Sequence, residues 1–241
     1  MMNEKSAMTS YDHGDLSLRT GHGGLTVWVL HKMAQEKRFN ELDDLFNNGL
    51  TMNALPVGYA AGAAARVLDV DNKPIAEALD HLTGRNWRGK VFFTSNDKRV
   101  SEGRNRMRES VLRAQSPIVP MAKFVTRLLD SHPLVPRATS NVVILNYADV
   151  RTRPYLQERA LSMVPVYDVQ VAVRGQYGPV FIGKTWLGKY DKQGEFTASH
   201  PDKLIAWYFL DFNDDAIKEQ RKSYWDGSDE ELLDPIPHVD N

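Results

Sequence analysis

The chain has 241 residues, with 30 Lys and Arg against 31 Asp and Glu, so its formal net charge is −1. That length suffices for one large domain or two small ones with a sizeable core. The absence of cysteine excludes disulfides and thiolate chemistry and suits a reducing compartment, so a cytoplasmic location is expected. No apolar stretch reaches the roughly 18 residues of a membrane-spanning helix, and the polar first 19 residues lack the apolar core of a signal peptide.

Residues 1–24 show no periodicity and end in Gly21-His22-Gly23-Gly24, which marks a flexible or docked arm. From Leu25, the spacing of Val27, Leu30, Met33 and Ala34 predicts a helix. A second helix is predicted over 40–46, with Leu42, Leu45 and Phe46 on one face and a left-handed cap at Asn47-Asn48-Gly49. Residues 49–62 are rich in Gly and Ala and read as a loop or short strand that allows close backbone approach. Asp71-Asn72-Lys73-Pro74 opens a further helix that Gly84 stops.

Next comes a strand, 87–93, whose alternation places Trp87, Gly89, Val91 and Phe93 together. Ser101 is expected to cap a basic helix over 102–113, followed by a weakly alternating strand over 119–129. The stretch 139–212 carries β-branched and aromatic runs punctuated by Gly, Asp and Asn, the pattern of consecutive antiparallel strands. Asn213 is expected to cap a helix over 214–224, and residues 226–241 form an acidic tail. Residues 25–225 are therefore read as one domain.

Charge is unevenly spread. Eleven cations fall between Arg85 and Arg127, and Asp and Glu crowd the last forty residues. The basic segment 85–127 admits nucleic-acid binding through Arg99, Arg104, Arg106, Arg108 and Arg113. Stacking aromatics are missing after Phe93, however, which argues against nucleic acid and for the acidic tail folding back onto the segment.

Phosphate-binding and dinucleotide motifs are missing. Gly58-Tyr59-Ala60-Ala61-Gly62 has the outline of a nucleophile elbow, with alanine where the serine must stand. The seven histidines are scattered, so no metal site and no cofactor is expected. What remains is a set of polar groups inside strands. Lys184 shares a face with Val180, Ile182 and Trp186; were that face interior, its charge would need a partner and its pKa would fall. Asp168 lies between Tyr167 and Val169, where an unpaired carboxylate is costly, so it should meet a cation such as Lys184, Lys90 or an arginine.

A resemblance adds to this. Leu55-Pro56-x-Gly58-x-x-x-Gly62, then Trp87-x-Gly89-Lys90-x-Phe92, then a strand ending Asn146-Tyr147 resemble a group of small lipocalin-like proteins. That group has an Asn in a basic helix after the Lys strand, as at Asn105, and Asp-Glu-Ile-Arg before a Gly-x-Tyr turn. Here the last motif reads Asp168-Val169-Gln170-Val171 before Gly175-x-Tyr177, without its Glu and Arg. The resemblance implies a calycin-type barrel around an apolar pocket and no particular activity.

Together these readings give an α+β fold: a curved antiparallel sheet approaching a lipocalin-like β-barrel, with N-terminal helices packed on or into it. The expected function is binding of a small apolar or amphipathic molecule, with acid–base chemistry by Lys184 and Asp168 as its catalytic form. Trp87, Lys90, Tyr147, Asp149, Trp186 and Trp207 are the expected ligand contacts. Nucleic-acid binding and non-catalytic partner binding stand as alternatives.

Overall fold

A computed structural model describes residues 24–67, 87–107, 123–147, 166–187, 203–213 and 238–239. Two short helices come first. In α1, Val27–Gln35, the Thr26 hydroxyl caps the N-terminus by accepting from Val29 N at 3.3 Å, and Val27, Leu30, Met33 and Ala34 are buried. In α2, Phe39–Asn47, Leu42, Leu45 and Phe46 form the buried stripe. The left-handed cap expected after α2 is not found: Asn48 has φ −107° and Gly49 is not at positive φ. Gly49 serves by its size instead, since a Cβ there would lie 2.7 Å from Ser140 Oγ and 2.9 Å from the Ala172 carbonyl.

The strands that follow are β1 Gly58–Arg66, β2 Trp87–Phe92, β3 Thr94–Ser95, β4 Val100–Met107, β5 Lys123–Leu129, β6 Val142–Asn146, β7 Val166–Arg174, β8 Pro179–Leu187, β9 Lys203–Asp211 and β10 His238–Val239. All but β3 and β10 close into an antiparallel eight-stranded barrel in the order β1-β2-β4-β5-β6-β7-β8-β9, with β9 pairing back onto β1. The expected curved sheet is thus a closed barrel, with no unpaired strand edge in its wall. Near the C-terminus, β10 pairs in parallel with β3.

The wall has two buried faces. Inward lie Ala60 and Ala64 of β1, Phe92 of β2, Phe124 and Leu128 of β5, Val143 and Leu145 of β6, Ala172 of β7, Phe181 of β8, and Tyr208 and Leu210 of β9. Outward, β7, β8 and β9 present Val169, Val171, Ile182, Trp207 and Phe209, which pack with the buried stripes of α1 and α2. The helices therefore cover the outside of the barrel and do not plug it. Small residues make room for rings inside. A Cβ on Gly62 would lie 2.7 Å from the Trp87 indole, and one on Gly103 or Gly183 would strike the Phe124 or Tyr208 ring.

Two sequence expectations are corrected. The segment after Ser101 is strand β4, not a basic helix: Gly103 pairs with Phe92 and Phe124, and Asn105 with Lys90. Its polar alternation, with Gly103 and Asn105 inward and Arg104 and Arg106 outward, satisfies the sheet. The second concerns Trp87. A register shift between Trp87 and Gly89 breaks the alternation of β2, so Trp87 joins Lys90 and Phe92 inside rather than sharing a face with Val91. Gly89, at φ 123°, permits that bulge, and its missing Cβ accommodates the Ala60 carbonyl. The helices expected over 74–84 and 214–224 and the arm over 1–23 lie outside the described residues.

Candidate functional site

Four strands place one polar side chain each into the barrel lumen at the same level. Lys90 comes from β2, Asn105 from β4, Tyr147 from the residue after β6, and Asp168 from β7. The Lys90 ammonium donates to Asn105 Oδ1 at 3.1 Å, to Tyr147 Oη at 2.5 Å and to Asp168 Oδ2 at 3.0 Å. An ammonium has three N–H bonds, so its donor capacity is full. Tyr147 in turn donates to Asp168 Oδ2 at 2.7 Å, and Trp87 Nε1 donates to Asn105 Oδ1 at 3.3 Å. Around the ammonium stand the rings of Phe124, Tyr208, Tyr147 and Trp87, with centroids 5.0, 5.0, 5.2 and 5.7 Å away.

Lys90 is fully buried and Asp168 is 2 % exposed. Burial pushes the Lys90 ammonium below the usual lysine range, and the Asp168 carboxylate beside it opposes that shift. Tyr208 is pushed well above the usual phenol value, by burial first and by Asp168 second. It therefore stays protonated and donates to Gln170 Oε1 at 2.9 Å.

Among the described residues, other lumen polar atoms have no hydrogen-bond partner: Asp168 Oδ1, Gln170 Nε2, Thr126 Oγ1 and Thr185 Oγ1. Three of these belong to one cross-strand row, because Thr126 pairs with Leu145, Leu145 with Asp168, and Asp168 with Thr185. The row lies towards the barrel end where β6 and β8 finish and β7 and β9 begin. From that end the connections 67–86, 108–122, 147–165 and 188–202 depart, whereas residues 175–178 suffice to join β7 to β8 at the other end.

The candidate residues read from sequence separate into two places. Trp87, Lys90, Tyr147 and Asp168 meet inside the barrel. Lys184 and Trp207 lie on the outer wall beneath the helices, with Trp186 packed at that layer's edge. Lys184 pairs with Asp43 of α2, above the rings of Phe46 and Trp207 at 4.4 and 4.7 Å. It also edges an open groove of about 410 Å³ between α2 and residues 134–137. Lys184 and Asp168 therefore face opposite sides of the wall, and the cation that meets Asp168 is Lys90. Asp149 lies outside the described residues.

Thr126, Thr185 and Tyr208 were not singled out from the sequence, and Asn105 and Gln170 entered only through the motifs of the resemblance. Gln170 carried a signal, because it stands two positions from Asp168 on the same face of β7. Of the five arginines weighed for nucleic acid, Arg99 donates to the Leu128 carbonyl and to Asp130. Arg106 is buried, donating to the Ala60 carbonyl and lying 5.7 Å from the Tyr59 ring centroid. Arg108 and Arg113 lie outside the described residues.

No family model, no curated protein and no solved structure matches this chain. Among the described residues, no helix is long and apolar enough to cross a membrane. The eight-stranded antiparallel closure is the architecture that lipocalin-type barrels share, so the likeness rests on the fold alone.

Proposed function

We propose that the barrel binds a small apolar or amphipathic molecule in its lumen, with the ligand's polar end at the Lys90–Tyr147–Asp168 cluster and its apolar body among the lumen rings. One observation carries this reading. A barrel serving only as a packed core would fill its centre with apolar side chains, yet this one buries an ion pair and, among the described residues, leaves polar atoms of Thr126, Asp168, Gln170 and Thr185 without partners. Each such atom costs on the order of 1–3 kcal/mol when desolvated, and a bound polar group relieves that cost.

Binding is favoured over covalent catalysis by the state of Lys90. All of its N–H bonds are engaged and a carboxylate stabilises its charge, so it does not offer a free amine. The test is nuclear magnetic resonance of the 15N-labelled protein titrated with 1-octanol. The Trp87 indole N–H, assigned with Trp87→Phe, should shift in a saturable way because it donates into the cluster through Asn105. A shift confined to the outer-wall Trp207 and Trp186, or none at all, would overturn the reading.

A further inference from the structure

We propose that the lumen selects uncharged polar heads, primary amides and alcohols, over carboxylates. This rests on the lumen-binding reading above and specifies the class of ligand. A buried lysine suggests at first an anion-binding site, but its surroundings argue otherwise. Each Lys90 N–H already has an acceptor, and one of those acceptors is the Asp168 carboxylate. The cation is neutralised before any ligand arrives.

The titratable groups joined in the cluster or set against it are Lys90, Asp168, Tyr147 and Tyr208, and the buried Arg88 stands beside them in β2. With Tyr208 held protonated by burial, the charges of Lys90 and Asp168 cancel. Arg66 stands at the rim of the row that holds Asp168, through Ala206 and Thr185, but it is half-buried and has interactions of its own. An entering carboxylate would thus bring a net negative charge to a buried pair whose own charges already cancel. It would also face Asp168 Oδ1, an acceptor for which it has no proton to donate.

An amide or an alcohol suits the same atoms. Its N–H or O–H donates to Asp168 Oδ1, its oxygen accepts from Gln170 Nε2, and the hydroxyls of Thr126 and Thr185 take either role. Such a head completes bonds that the chain leaves open and adds no charge.

Three probes of equal chain length test this: octanamide, 1-octanol and sodium octanoate, each titrated into the full chain at pH 8 and followed by the Trp87 indole resonance. The amide and the alcohol should bind at least about tenfold more tightly than octanoate, the ratio a modest uncompensated charge imposes. Octanoate should gain apparent affinity as the pH falls towards the ordinary carboxyl range, near about 4–5, because the neutral acid forms there. Asp168→Asn leaves Lys90 without its counter-ion and should shift the preference towards octanoate. Lys90→Met with Asp168→Asn carries no charge and should refuse it again. Octanoate binding in the lumen as tightly as octanamide at pH 8 would overturn the selectivity while leaving the binding reading intact. No lumen response to any of the three would overturn both.

Discussion

Replacing Lys90 by methionine probes the centre of the barrel most directly. Methionine keeps much of the shape and still contacts the surrounding rings through its thioether, so the change removes mainly the charge. Asp168 would then stand 2 % exposed with, among the described residues, only Tyr147 donating to its Oδ2. Breaking a buried pair from one side costs about 3–5 kcal/mol. With a urea dependence of about 2–3 kcal/mol per molar for a chain of this size, the unfolding midpoint should fall by roughly 1–2 M. Lys90→Met with Asp168→Asn should recover to within about 1 kcal/mol of the parent, because both charges are then gone. Urea unfolding of the parent, both single variants and the double completes the thermodynamic cycle. A loss below about 1 kcal/mol in Lys90→Met, or strict additivity in the cycle, would refute the account of the cluster as a coupled, desolvated unit.

Other perturbations separate the two lysines and the backbone devices. Lys184→Met should cost no more than about 1 kcal/mol, since Asp43 is 45 % exposed and returns to water; a loss as large as that of Lys90→Met would contradict the two-sided wall. Gly89→Ala should lower stability by about 3 kcal/mol, combining positive-φ strain with a clash on the Ala60 carbonyl; an unchanged thermal midpoint would show that β2 can rearrange there. Burial holds His132 down at about 4 against an ordinary 6.5. Between these values the unfolded chain binds a proton that the folded one refuses, so stability present above about pH 6.5 is lost as the pH falls towards 4. Relative to His132→Asn, the parent should lose roughly 2–3 kcal/mol over that window, and a flat difference in urea unfolding at pH 7, 5 and 4 would rule this out.

Much of the barrel was legible because its strands alternate. The two faces of β8, one with Val180, Ile182 and Lys184 and the other with Phe181, Gly183 and Thr185, followed from period alone. Which face looks inward did not. Both are buried, one by the lumen and one by α1 and α2, and the more apolar face is the outer one. Lys184 was therefore as eligible as Lys90 for the interior place that Lys90 holds. The need of Asp168 for a cation was readable from desolvation, but the choice among cations depends on how the closed barrel staggers its strands. Strand β4 was hidden because its inward residues, Gly103 and Asn105, are not apolar, and Ser101 ahead of a charged run resembles a helix start. The turn of Trp87 into the lumen depends on a bulge, and a bulge exists only relative to a partner strand.

Lumen space in this barrel is shared out in couples: Gly183 with Tyr208, Gly103 with Phe124, Gly62 with Trp87, each glycine yielding to a ring on the neighbouring strand. Neither member of a couple can drift alone. A methyl gained at the glycine meets the ring, and a ring lost from its partner opens a void. Reciprocal exchanges keep the sum of the two volumes and leave strand register untouched. Descendants of this chain whose lumen changed shape would therefore change two residues at a time, on adjacent strands, and the history of that shape would be written as correlated pairs rather than as single substitutions.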